Sequence, residues 1–140
     1  MAANLYAVVD TNVLVSALIS KNSGSYPLRV VASVYDGSLI PVYNKEILAE
    51  YRAVLSRKKF NLNTQDMEDA LRVITDFGLE LDRTPVKDEE FPDKQDIVFY
   101  EVKMSKEDSY LVTGNIKHFP KKPFVVTPKE MVEILTKQSD

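Results

Sequence analysis

Leu5-Tyr6-Ala7-Val8-Val9 is an unbroken apolar run of strand length that stops at Asp10-Thr11-Asn12. A strand with no polar alternation has no face to give to water, so it belongs in a sheet covered on both sides, the situation of parallel sheets flanked by helices. Leu39 to Val42, Leu79-Glu80-Leu81, Ser109 to Val112 and Phe124-Val125-Val126 read as further strands. Between them lie segments of helical character. Pro27 follows Ser25-Tyr26 as a first-turn residue, and the helix through Tyr35 is closed by Gly37. Asn44 can cap a helix to about Ser56, in which Ile47, Leu48, Tyr51, Val54 and Leu55 form one apolar arc with Glu50 just outside its edge. Met67, Ala70, Leu71, Ile74 and Phe77 define another, opened near Asn63 or Thr64 and ended by Gly78. A helical stretch runs from Asp96 to about Lys106, and Thr127-Pro128-Lys129-Glu130 combines a capping box with proline at the first helical position. Strands alternating with helices predict an α/β fold with a mainly parallel central sheet.

The 140 residues suit one domain, without internal repeats or a linker. Hydrophobic residues make up 44% and charged residues 28%, and no apolar run approaches the roughly 20 residues that span a membrane. Cysteine is absent, which removes disulfides, thiolate chemistry and cysteine-bound zinc and suits a reducing cytoplasm. Met1-Ala2-Ala3-Asn4-Leu5 places no basic region ahead of an apolar stretch, so no export signal is expected. The formal net charge of −3 excludes a generic basic nucleic-acid binder, because such proteins neutralise phosphates with Lys and Arg. If the partner is nucleic acid, positive charge must come from elsewhere, and a divalent cation is the obvious source.

Open parallel sheets bind ligands beyond the carboxyl ends of their strands. Asp10 and Asn115 lie there, and Glu50 and Asp96 can converge on them from helix rims. Carboxylates gathered in one place repel one another unless protonated or bridged by cations, and hard oxygen donors suit Mg²⁺ or Mn²⁺. Each residue also has a plainer role open to it. Asp10 can cap the following helix, Glu50 can be a solvated helix residue, and Asp96 can cap its own helix, with Asp93 a rival for its metal role. Glu101 either faces the site or pairs with a nearby cation, Thr113 and Gly114 can form a simple turn, and His118 beside Phe119-Pro120 reads as a loop anchor. Arg57-Lys58-Lys59 either complements the carboxyl end of its helix or touches phosphates.

Val8-Val9-Asp10-Thr11-Asn12-Val13-Leu14 resembles the opening motif of PIN domains. Ile47-Leu48-Ala49-Glu50-Tyr51 with Val54-Leu55 resembles that family's second-acid helix. Asp93-Lys94-Gln95-Asp96 with Phe99-Tyr100-Glu101 resembles its third-acid segment, and Tyr110-Leu111-Val112-Thr113-Gly114-Asn115 with Lys117-His118-Phe119 the strand that normally ends in Thr-Gly-Asp. The order holds over nearly the whole chain, and the similarity is closest to the toxin components of bacterial toxin–antitoxin pairs. The resemblance implies a three-layer α/β/α, Rossmann-like PIN fold and an Mg²⁺- or Mn²⁺-dependent endoribonuclease acting on single-stranded RNA. It further implies an inhibitory antitoxin partner and a homodimer. By position, Asp10, Glu50 and Asp96 would be the metal-binding acids, Thr11 and Asn12 would steady the first, and Thr113 would lie beside the site. Asn115 departs from the pattern: an amide oxygen can bind a metal but lacks the charge of the usual aspartate. That leaves a second reading, a degenerate member that binds RNA or a protein partner without efficient cleavage. A third, phosphoryl transfer through an aspartyl nucleophile, meets Asn12 where such phosphatases typically carry a second aspartate.

Overall fold

A computed structural model describes residues 4–87 and 89–139; Met1-Ala2-Ala3, read above for the lack of an export signal, lies outside them. Among the described residues there are five strands, β1 (Leu5–Val9), β2 (Leu39–Tyr43), β3 (Leu79–Glu80), β4 (Ser109–Val112) and β5 (Val125–Val126). The helices are α1 (Thr11–Ile19), α2 (Tyr26–Tyr35), α3 (Lys45–Leu55), α4 (Thr64–Phe77), α5 (Ile97–Lys103) and α6 (Pro128–Ser139). Every strand pairing is parallel, in the order β3-β2-β1-β4-β5, with Tyr6 opposite Ile40 and Val9 opposite Val112. The chain therefore winds outward from β1 to β3 and then returns to lay β4 and β5 on the other side. The winding reverses between β1 and β4, and at such a switch the connections leave in opposite directions and open a crevice at the carboxyl edge.

Alternate β1 side chains enter two separate cores. Ala7 and Val9 pack with Val30 and Val34 of α2 and Met131 and Leu135 of α6. Val8 packs on the opposite face with Ile47 and Tyr51 of α3, Leu71 of α4 and Phe99 of α5. Two buried faces make the three-layer α/β/α arrangement expected from the apolar run.

Local signals set the helix ends. Asn44 Oδ1 accepts from Ile47 N (2.8 Å), Asn63 Oδ1 from Gln65 N (2.7 Å) and Ser25 Oγ from Leu28 N (3.3 Å). At α6, Thr127 Oγ1 accepts from Glu130 N (3.1 Å) while Glu130 Oε1 accepts from Thr127 N (2.9 Å), a reciprocal capping box. Gly37 follows α2 at φ +88°, and Gly78 ends α4 for a different reason: a Cβ there would lie 2.3 Å from Ile74 O and 2.7 Å from Pro41 O. The α5 helix is shorter than the sequence suggested, ending at Lys103 rather than near Lys106. Ser109 Oγ donates to the Lys106 carbonyl (2.5 Å) and Lys103 Nζ to the Glu107 carbonyl (3.3 Å), so side chains take up the carbonyls of the following turn. Among the described residues no helix is long and apolar enough to cross a membrane.

Candidate active site

Asp10 is the residue at which β1 becomes α1. Its backbone N–H still extends the sheet ladder to Val112 O (2.9 Å), and its side chain is the N-cap of α1, accepting from Thr11 N at Oδ1 (2.8 Å). The capping role is therefore real, and it coexists with something more. Oδ2 faces β4, where it accepts from the Thr113 hydroxyl (2.7 Å) and from Asn12 Nδ2 (3.2 Å). Thr113 Oγ1 accepts in turn from Asn115 N (2.9 Å), and Asn12 Oδ1 accepts from Gly114 N (3.1 Å). The residues after two adjacent strands are thus laced together across the crevice. With both ends of its amide engaged in this way, Asn12 supplies no second carboxylate of the kind an aspartyl phosphatase uses.

Asp10 is only 6% exposed, and burial pushes its carboxyl up to about 6; the Thr113 and Thr11 hydrogen bonds oppose the rise, and the charges of Asp96 and Glu50 add to it. Glu50, half-buried on α3, accepts from the hydroxyl of Thr11 through Oε2. The next residue, Tyr51, is fully buried and donates its hydroxyl to Val9 O, tying α3 to the end of β1. Burial raises the Tyr51 phenol well above its ordinary range, with Asp10 and Glu50 adding to the shift, so the group acts as a neutral donor.

Asp96 stands at the start of α5 without making a capping bond. Among the described residues its buried Oδ2 has no hydrogen-bond partner, and the Nδ1 of His118 lies 3.4 Å away. Burial raises the Asp96 carboxyl, as do Asp93 and Glu50, while His118 lowers it. Asp93, the rival acid, is exposed and accepts from Gln95 N (2.9 Å), which caps the short Lys94–Asp96 turn. Asn115 is exposed; its backbone, not its side chain, joins the network.

Glu101, read from the sequence as facing either the site or a cation, takes the second course. It is 6% exposed and binds Arg83 through Nε (2.7 Å) and Nη2 (2.6 Å), and its other oxygen accepts from Val86 N (2.8 Å). Arg83 also reaches Glu46 of α3 (3.0 Å). This group anchors the loop that leads from β3 toward Asp93 and Asp96.

The structure thus joins Asp10 with Asn12 and Thr113, Glu50 with Thr11, and Asp96 with His118. The three acids feel one another's charge, yet among the described residues no three acidic or histidine side chains come close enough to hold one metal ion together. Two contacts were not legible in the sequence, the Tyr51 hydroxyl at β1 and the His118 imidazole at Asp96. Tyr51 counted there only as part of an apolar arc, and a lone histidine in a loop carries no signal of its partner.

Comparison with curated proteins and with solved structures gives no match to this chain. A family model described as the PIN domain matches residues 6–117, a span that holds Asp10, Glu50, Asp96 and Asn115. With that match over most of its length, the chain belongs to the PIN domain family, a family of nucleases that typically use divalent metals.

Proposed function

We propose that the chain is an Mg²⁺- or Mn²⁺-dependent endoribonuclease of single-stranded RNA, with Asp10, Glu50 and Asp96 as metal-binding acids and Asn115 as a further oxygen donor. The carrying observation is Asp10 itself. It is buried at the reversal point of the sheet, with its carboxyl raised to about 6 and two further acids acting on it. The donor chemistry suits such an ion, since all are hard oxygens and the three acids destabilise one another as charges; a bound ion would draw together acids that do not yet meet at one point among the described residues. When bound, the cation offsets that repulsion and polarises the phosphodiester as a Lewis acid.

The chain's own residues supply orientation. Thr11 N, Asn12 and Thr113 fix both oxygens of Asp10, and the Thr11 hydroxyl holds Glu50. An acidic crevice on a chain of net charge −3 repels RNA phosphates, which makes substrate binding depend on the cation. The test is cleavage of end-labelled single-stranded RNA with MnCl₂. Cleavage should stop with EDTA and fall at least about a hundredfold in Asp10→Asn, since loss of even an outer-shell partner costs up to about that much. No cleavage by the wild type, or equal cleavage by Asp10→Asn, would sink the proposal.

Asn115 favours a second reading, binding of RNA or a protein partner without efficient cleavage. If the missing charge is limiting, Asn115→Asp raises both the cleavage rate and the stabilisation by Mn²⁺, because a ligand stabilises the folded state according to its affinity. The family resemblance also supports a role as the toxin of a toxin–antitoxin pair, with an inhibitory antitoxin, a homodimeric state and a cytoplasmic setting. Growth arrest on expression, relieved by the partner, would test that role.

A further inference from the structure

We propose that His118 is the positioning residue of Asp96: its imidazole holds one carboxylate oxygen and leaves the other for a divalent cation. The inference rests on the metal reading above and deepens it. Asp96 Oδ2 is buried and accepts no hydrogen bond from the described residues, although leaving a buried acceptor unpaired costs free energy. The group that faces this oxygen is His118 Nδ1, at 3.4 Å. The two residues come from distant parts of the chain, Asp96 from the turn before α5 and His118 from the turn Ile116–His118 after β4.

That second turn is firmly held. His118 N bonds to Asn115 O (2.9 Å), Asn115 N bonds to Thr113 Oγ1, and Thr113 bonds to Asp10. The neighbouring Phe119 is buried and meets the Phe91 ring edge-on at 6.4 Å. The imidazole is therefore delivered to Asp96 by the same backbone that fixes Asp10, while its side chain stays 47% exposed at the rim. A surface ion pair of this exposure contributes little to folding. Its consequence falls on the carboxylate, because a ligand held by an outer partner needs less reordering when the metal arrives. An Nδ1–H donor is present in the imidazolium and in one neutral tautomer, so the role does not depend on charging the ring.

The test is calorimetric titration of Mn²⁺ into the full chain, without RNA, for wild type, His118→Leu and His118→Asn. Leucine and asparagine are near-isosteric, and only asparagine carries an amide nitrogen at the place of Nδ1. The expected result is about tenfold or more weaker Mn²⁺ binding in His118→Leu, with His118→Asn recovering most of the loss. Equal affinity in the two variants, or tighter binding in His118→Leu, overturns the role while leaving the metal reading intact. A wild type that binds no Mn²⁺ overturns both. The variants differ only at an exposed rim position, and circular dichroism of each checks that the fold is kept.

Discussion

Asp10 works under opposing demands. Three hydrogen-bond donors stabilise its carboxylate, yet burial and two neighbouring acids outweigh them and lift its carboxyl to about 6. A carboxyl raised above its unfolded value of 3.8 binds more protons in the folded state than in the unfolded state between those two values. Its contribution to stability is complete below about pH 4 and is lost as the pH rises through about 6, a change on the order of 3 kcal/mol. Urea unfolding in EDTA should therefore show wild type losing stability over that interval relative to Asp10→Asn, which cannot titrate. Parallel pH profiles for the two proteins would refute this. Part of this behaviour was visible in the sequence: an aspartate closing an apolar strand is both a cap and a candidate ligand. The network that gives its charge a cost was not, because Thr113 lies 103 positions away.

At the level of elements, the apolar runs and caps placed the strands and helices well, since these signals act within a few residues. Asn44, Asn63, Ser25 and Thr127 cap as their residue types require. The end of α5 was not legible because the carbonyls just beyond it, those of Lys106 and Glu107, are taken by the Ser109 hydroxyl at the start of β4 and by the Lys103 ammonium. The two helix-ending glycines look alike in sequence but differ in cause. Gly37 adopts a left-handed φ in open space, so Gly37→Ala should cost only about 1 kcal/mol of conformational strain. Gly78 sits against the carbonyls of Ile74 and Pro41, so an added methyl must displace backbone at the α4–β3 junction. Gly78→Ala should cost more, at the upper end of the roughly 1–3 kcal/mol of overpacking. Chemical denaturation of both variants checks the ranking, and a costlier Gly37→Ala would contradict it.

For the whole molecule, the determining event is the return of the chain to β1. Strand β1 is bracketed by β2 and β4, and α6, the last helix, joins α2 over the same core. With early and late segments sharing one sheet, we expect residues 1–140 to unfold as a single cooperative unit. Far-ultraviolet dichroism and tyrosine fluorescence, available from seven Tyr with no Trp, should then give coincident urea transitions. Separated midpoints would instead indicate two units. The sequence by itself determined the α/β class, the parallel sheet and the four polar positions to watch, because hydrophobic periodicity, capping and motif order are local properties of a chain. Only the tertiary structure decided which of those positions meet. It seated β4 beside β1, so that Thr113 and Asn12 lock Asp10. It turned Glu101 away to Arg83 and set His118 against Asp96. Those outcomes depend on strand order and side-chain direction, which follow from long-range packing of the sheet's two faces. Asp10 was legible from the start; the geometry that surrounds it was not.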